Sequence, residues 1–385
     1  MTELLIEAIE KTKQLKHLEH AEDRLIDHRS EGFHHAVNAL HAVHNHLDKK
    51  SKAHITTKLD GSPSVVFGHH PQTGKFFVAT KSAFNKTPKL NHTQADIERN
   101  HGHAPGLVHK LKAALKHLPK IAPKHGIHQG DIMHTDDDRE QDDHSHHFKP
   151  NTIRYSVKKN SAHGHAVGKS KIGIAIHTKY HGDSIENMHA DFDVDHSHFN
   201  KHDDVHHIQP KVADVHYTPE QRAKFAHHIQ QAHDAHKKAS DHDDYGHLQA
   251  HDHATHLKTY INHTIRTGTS PTVKGYSKWH VDRANTNAAK VSLIGSKTKH
   301  IEAGQQIAKH IKQHQGRFAY TLMAHHHLQQ AKNALVGALS SHAEFDHTVD
   351  GKPVKPEGFV VHHDGHPTKL VDRHEFSKNN FNRAK

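Results

Sequence analysis

Lys58 stands in the run Thr57-Lys58-Leu59-Asp60-Gly61, an amine placed two residues before a carboxylate and three before a glycine. Three more segments share its character. They are Thr80-Lys81-Ser82, then Gln129-Gly130-Asp131-Ile132-Met133, then Glu357-Gly358-Phe359-Val360-Val361 followed by Lys369-Leu370-Val371. A lysine attacks a phosphorus centre only as the neutral amine, so desolvation or nearby cations must lower its pKa. Charge that builds on a phosphate needs cations around it. A Mg²⁺ that bridges phosphate oxygens is held by a few carboxylates and several waters. The four segments offer these parts: a lysine beside a glycine turn, two carboxylates on or beside strands, and further lysines on strands. Each segment alone also has a plainer reading. Lys-x-Asp-Gly is a common surface turn, Glu-Gly-x-Val-Val a common start of a buried strand, and Asp131 a turn cap. Their order along the chain is what points to nucleotidyl transfer.

The elements that must position these residues are read from apolar spacing. Residues 1–50 read as helix, with Phe33, Ala36, Val37, Leu40, Val43 and Leu47 recurring at spacings of mostly three and four. Ile55 to Phe67 is rich in β-branched residues and is broken by Gly61-Ser62-Pro63. His70 to Gly74 is a turn and Phe76 to Thr80 a second strand, so the spacing predicts a hairpin whose first strand carries Lys58. Gly106 to Leu118 reads as a helix ending at Pro119, and Gly126 to Met133 as a strand. The acidic, His-rich stretch Asp136 to His147 reads as a loop, while Asn151–Val157 and Lys171–Thr178 alternate as strands do. From Thr218 to Ala343 polar helical stretches dominate, interrupted by a Gly, Pro and Ser loop over Gly268–Asn287 that holds the only tryptophan, Trp279. The chain returns to strands in a hairpin through His363-Asp364-Gly365. Four segments result: N-terminal helices over 1–50, a first catalytic part over 51–190, a helical His-rich insertion over 191–344, and closing strands over 345–385.

Composition narrows the function classes. There are no cysteines, so disulfides and cysteine–zinc sites are excluded. The N-terminus carries Glu3 and Glu7 where a secretory leader would be basic, and no apolar run approaches a membrane span, so a cytoplasmic protein without a membrane partner is expected. The net charge of +10 and pI of about 9.4 favour polyanionic partners. Histidine is the anomaly, at 56 of 385 residues spread along the whole chain. The clusters His144-Ser145-His146-His147, His196-Ser197-His198, His206-His207 and His325-His326-His327 could each hold a transition metal, or could simply reflect a compositional bias.

The four segments in this order resemble the covalent nucleotidyltransferase superfamily of ATP-dependent DNA and RNA ligases and mRNA-capping enzymes. Within it, the sequence is most similar to the small RNA ligases of T4-like phages and their uncharacterised relatives. Lys58-Leu59-Asp60-Gly61 matches the nucleophile motif, and the resemblance spans about residues 30–180 and 345–378. It implies an α+β fold with ATP-grasp-like antiparallel sheets flanked by helices, the helical insertion, and no C-terminal OB-fold. It implies ATP with Mg²⁺ or Mn²⁺, and a nucleic acid with 5′-phosphate and 3′-hydroxyl ends, RNA favoured. By it Lys58, Asp60 and Lys369 are catalytic. Thr56, Thr57, Gly61, Ser62, Lys81 and Arg373 contact the nucleotide, and Asp131 and Glu357 serve the metal.

The departures are Pro63 two residues after Gly61, Asp131 in place of the usual glutamate, and Val371 in place of a second lysine. The helical insertion, with Lys211, Arg222, Lys224, Lys274, Lys278, Arg283, Lys297 and Lys299, is the candidate grip on nucleic acid; its plainer reading is a solvated basic surface. Two alternatives stand beside the ligase: a nucleotidyltransferase with a non-nucleic-acid acceptor, and an inactive scaffold acting as a His-rich metal- or pH-responsive binding protein.

Overall fold

The computed structural model describes residues 18–208, 212, 215–340, 345–363 and 366–373. A 3₁₀ turn, Ala21–Asp23, leads into helix α1 (Arg24–Leu47). Strands β1 (His54–Lys58), β2 (Ser64–His69) and β3 (Phe76–Ala79) follow, then helices α2 (Gln94–His101) and α3 (Pro105–His117). Next come β4 (Ile127–Thr135), β5 (Arg139–Gln141), β6 (Ser145–Phe148) and β7 (Arg154–Lys158). Helix α4 (Ala162–Lys169) precedes β8 (Ile172–His181), β9 (His189–Asp191) and β10 (Val205–Ile208). The helical stretch consists of α5 (Pro219–Ser240), α6 (His253–Thr267), α7 (Val273–Ala289), α8 (Ile294–Gln313) and α9 (Gln315–Leu339). Strands β11 (Asp346–Val349), β12 (Lys352–Pro353), β13 (Gly358–His363) and β14 (His366–Val371) close the chain. The fold class is α+β, as expected. No helix among the described residues is long and apolar enough to cross a membrane.

The chain divides into two compact units. The first holds Met1–Leu18, Thr56–Ala213 and His342–Glu357; the second holds Glu19–Ile55, Asp214–Ser341 and Gly358–Lys385. The stretch expected to be a separate insertion therefore groups with the N-terminal helix and the closing hairpin.

The first unit is built on a sheet of order β10-β8-β4-β2-β3, with β9 added beside β8. All its pairings are antiparallel except β10 with β8. The side chains of α3 at spacings of three and four explain one covered face. Val108, Leu111, Ala114 and Leu118 pack against Val65, Phe67, Val78, Ile132, Ile172 and Ile174. The opposite face is covered as well, where Val66, Phe77 and Ala79 meet Phe84, Ile185 and Met188. Burial of each large apolar side chain contributes about 1.5–3 kcal/mol, so this double cover fixes β2, β4 and β8 firmly. A second sheet of order β12-β11-β7-β6-β5 stacks Phe148 of β6 on Tyr155 of β7, with ring centroids 5.5 Å apart.

Three expectations need correction here. The stretch Asp136–His147 is not a loop, since it forms β5 and begins β6. In β6, His146 and Phe148 are buried while Ser145 and His147 are not, so a histidine fills an inward position that hydropathy reads as polar. The stretch Gly268–Asn287 is not a loop either. Thr272 accepts a hydrogen bond from the Gly275 N–H at 3.0 Å and starts α7, which buries Tyr276 and His280. Finally, Lys58 is not on the first strand of the hairpin. The hairpin is β2 with β3, whereas β1 belongs to a different, three-stranded sheet of order β1-β13-β14.

In the second unit α1 buries the predicted stripe Phe33, Ala36, Val37, Leu40, Val43 and Leu47. Histidines act here as core aromatics: His236 stacks on Phe33 at 3.9 Å and His44 on Phe225 at 4.6 Å. Strand β13 pairs with β14 so that Val360 lies opposite Lys369. The unit also has a charged interior. Glu22 and Lys332 are both fully buried and meet at 2.6 Å. Asp23 accepts from Arg373 at 2.9 and 3.0 Å and pairs with His325 at 3.0 Å.

Candidate functional site

The site in the first unit grows out of the turn that follows β1. Lys58 ends the strand, Leu59 is buried, and the chain turns at Asp60-Gly61-Ser62 into β2. Two side chains lock the turn by its backbone. The Tyr155 hydroxyl accepts from the Asp60 N–H at 3.2 Å and donates to the Asp60 carbonyl at 3.1 Å, and the Asn151 amide donates to that carbonyl at 2.8 Å. Gly61 passes so close to β4 that a Cβ would lie 2.6 Å from the Ile132 carbonyl oxygen and 2.8 Å from the Asp131 Cβ. Only glycine allows that approach. The Ser62 N–H donates to the Ile132 carbonyl at 2.9 Å, the Ile132 N–H returns a bond to Pro63 at 3.0 Å, and Lys110 of α3 donates to the Ser62 carbonyl at 3.1 Å. The turn is thereby tied to the strand that carries Asp131.

Lys58 Nζ is held by two carboxylates. Glu357, just before β13, is 2.6 Å away, and Asp60 forms the second ion pair. Glu357 is buried, and its other oxygen, Oε2, has no hydrogen-bond partner. Burial pushes the Glu357 carboxyl up to about 8; Lys58 opposes this and the Asp60 charge adds to it. For Lys58, burial alone lowers the pKa, but the Glu357 and Asp60 carboxylates outweigh it and hold the amine above its ordinary value. One ammonium between two acids leaves a surplus of negative charge. Tyr155, buried and beside Asp60 and Glu357, is kept protonated well above the usual range by burial and by those charges. Asp131 faces the same turn: its Oδ2 lies 3.4 Å from the Gly61 N–H and its Oδ1 3.4 Å from His177 Nε2.

Of the residues picked out in the sequence, Lys58, Asp60, Gly61, Ser62, Asp131 and Glu357 come together in the first unit. Thr56 and Thr57 precede Lys58 on β1, half-buried. Lys81 is exposed and begins a short 3₁₀ turn capped by Thr80, just past β3 rather than on it. Lys369 lies on β14 in the second unit, where its N–H donates to the Glu19 carbonyl at 3.0 Å. Arg373 is corrected. It is buried in the second unit, with its guanidinium engaged by Asp23 and Asn262, and so it is no exposed phosphate ligand. Sequence reading missed Tyr155, Asn151, Lys110 and His177. Tyr155 alone left a trace, as an aromatic in an alternating strand.

The residues of the helical stretch that were candidates for gripping nucleic acid divide. Arg222 is paired with Asp48, Lys278 with Asp282, and Arg283 lies over Trp279, while Lys211 lies outside the described residues. The histidine clusters divide too. His147 bonds to Asp142 and Ser156, His196 to His207, His206 to His163, and His325 to Asp23. None of the four gathers three metal-ligating groups among the described residues.

A family profile matches residues 15–385, nearly the whole chain. The chain belongs to the family of unknown function DUF6267. No curated protein and no solved structure matches it. For this DUF6267 chain the chemistry must therefore be argued from the site itself.

Proposed function

We propose that the protein is a nucleotidyltransferase of the ATP-dependent ligase type and that Lys58 carries the nucleotide. The observation that carries this reading is the buried Lys58 amine flanked by the Glu357 and Asp60 carboxylates, with Asp131 on the adjoining strand. The antiparallel sheet around β2, β4 and β8, which supports the turn, is consistent with the ligase-type fold.

The donor set fits Mg²⁺ or Mn²⁺. These ions take oxygen ligands, and Glu357 Oε2 is a buried carboxylate oxygen without a partner in a site that carries surplus negative charge. Glu357, Asp60 and Asp131 would hold the ion, which when bound supplies positive charge to the phosphates of ATP. Carboxylates engaged in that way no longer hold the Lys58 proton, and burial then favours the neutral amine. The freed Nζ attacks the α-phosphorus. A P–N bond forms, the bond from phosphorus to the bridging oxygen breaks, and pyrophosphate leaves with that electron pair. The ammonium proton passes to solvent before the attack. In a second step a terminal 5′-phosphate of a polynucleotide, RNA favoured, attacks the same phosphorus and breaks the P–N bond. A 3′-hydroxyl then attacks the activated 5′-phosphate and AMP departs.

The test is incubation with α-labelled ATP and Mg²⁺. A covalent protein–AMP adduct is expected, and Lys58→Ala should lower its yield by roughly three orders of magnitude or more, as for loss of a covalent nucleophile. Absence of an adduct with any nucleoside triphosphate and either metal ion sinks the reading. Sealing of nicked, 5′-phosphorylated RNA by the adenylated protein then tests the acceptor.

A further inference from the structure

The second unit contains a cavity of roughly 370 Å³ that the Lys58 chemistry does not use. One wall is a face of α1, where Asn38, His41 and Asn45 follow at spacings of three and four. The segment after α1 contributes Lys52, β1 contributes His54, and β13 contributes His362 and His363. His54 and His362 stack with ring centroids 4.6 Å apart and planes within 23°. No carboxylate is among the described residues that line the cavity.

This lining selects a ligand class. One ammonium and four imidazoles, with no acid among them, suit an anion rather than a cation. A phosphate monoester carries between one and two negative charges near neutrality and accepts several hydrogen bonds. The volume lies at the lower end of small-molecule sites and is far larger than a lone phosphate needs. The stacked imidazole pair offers a platform of the kind on which nucleobases stack. The Asn38 and Asn45 amides can both donate and accept, as a base edge or a ribose requires. We propose that this cavity binds a nucleoside 5′-phosphate, with the phosphate taken by Lys52 and the imidazoles and the base lying against the His54–His362 pair. Binding is non-covalent, and it does not depend on the Lys58 reaction. A free nucleotide and the 5′-phosphorylated end of a polynucleotide present the same chemistry.

The test uses the full chain carrying Lys58→Ala, so that no covalent adduct forms at that lysine and the outcome is separate from that of the transfer reaction. The protein is photolabelled with 8-azidoadenosine 5′-monophosphate and the labelled peptides are mapped. Label is expected in the segments holding His41–His54 or His362–His363, and AMP should compete with it while adenosine does not. Lys52 is exposed, so Lys52→Glu should keep the fold while lowering this labelling about tenfold or more, as for loss of a charge-assisted contact. His54→Ala should weaken it as well. Competition by a 5′-phosphorylated oligoribonucleotide but not by its 5′-hydroxyl form identifies a polynucleotide end as the source; competition by AMP alone identifies the free nucleotide. Label found only elsewhere, equal competition by adenosine, or labelling unchanged in Lys52→Glu overturns the proposal.

Discussion

Glu357 in the first unit and Glu22 in the second present the same contact in opposite settings. Each buried carboxylate meets a lysine Nζ at 2.6 Å, and each leaves its Oε2 without a hydrogen-bond partner. Burial pushes both carboxyls up. At Glu22 the surrounding Lys332, His20 and Arg373 charges outweigh burial and bring the carboxyl down to about 2. At Glu357 one lysine is shared with Asp60, and the carboxyl stays high. The Glu22 site is a compensated ion network, which specifies how η-turn, helix and closing segment of its own unit assemble. The Glu357 site is under-compensated, and such a site gains by taking up a cation. The same pair of residue types is thus structural where positive charge is in excess and available for chemistry where it is short.

The largest effect expected from this contrast is on stability. Lys332→Met leaves Glu22 charged and unpaired in a fully buried position and should cost about 3–5 kcal/mol in denaturant unfolding. Adding Glu22→Leu should recover most of that loss, because a buried ion pair replaced by apolar residues is often neutral. Lys58→Met should cost no more than about 1 kcal/mol, because Glu357 can hold a proton instead and the lysine is partly exposed. Equal losses at the two lysines would break the comparison.

A smaller effect separates the two acids by pH. The Glu357 carboxyl is raised in the folded state, so its contribution to stability is fully present below its ordinary value of 4.5 and is lost as pH rises through about 8. The Glu22 carboxyl is lowered, so its contribution is present above 4.5 and is lost as pH falls through about 2. Glu357→Gln should therefore flatten the decline in stability between pH 4.5 and 8 without touching the acid limb. A wild-type stability profile that rises across that alkaline window because of Glu357 would reverse the assignment. Unfolding measured across pH for the wild type and for the variant supplies the check.

The same contrast explains how much of the molecule could be read from sequence. The faces of α1 and α3 were legible because their apolar residues recur at helical spacing and are the ones buried. The β4 strand and its Asp131 were legible for a similar reason. Strands β5 and β6 and helix α7 were not, because His146 and His280 fill inward positions while scoring as polar. The glycine and proline signals before α7 were mistaken for a loop. Around Lys58 the acids could be named from motif order, but the clamp of Tyr155 and Asn151 on the Asp60 backbone could not, since no local pattern announces a hydrogen bond across so many residues. Arg373 went astray for the matching reason. An arginine near the end of the chain looks like a phosphate ligand until its buried partner, Asp23, is seen.

That clamp gives the finest test of the contrast, because it separates positioning from charge. Tyr155→Phe keeps the ring, and with it the stack on Phe148, but removes the hydroxyl that joins the Asp60 N–H and carbonyl. The carbonyl keeps its bond from Asn151, so only the N–H is left to find water. The cost should be about 1 kcal/mol of stability, the net value of such a bond. Lys58 and its two acids all remain, so the adduct with AMP should still form, though more slowly and by less than tenfold, since only the seating of the turn is loosened. Complete loss of the adduct with normal stability would mean that the hydroxyl itself takes part in the chemistry. An unchanged rate together with unchanged stability would mean that the turn is held by Gly61 and β4 alone. The pH profile of adduct formation distinguishes a positioning role further: it should keep its shape in Tyr155→Phe, because the carboxylates that hold the Lys58 proton are still Glu357 and Asp60.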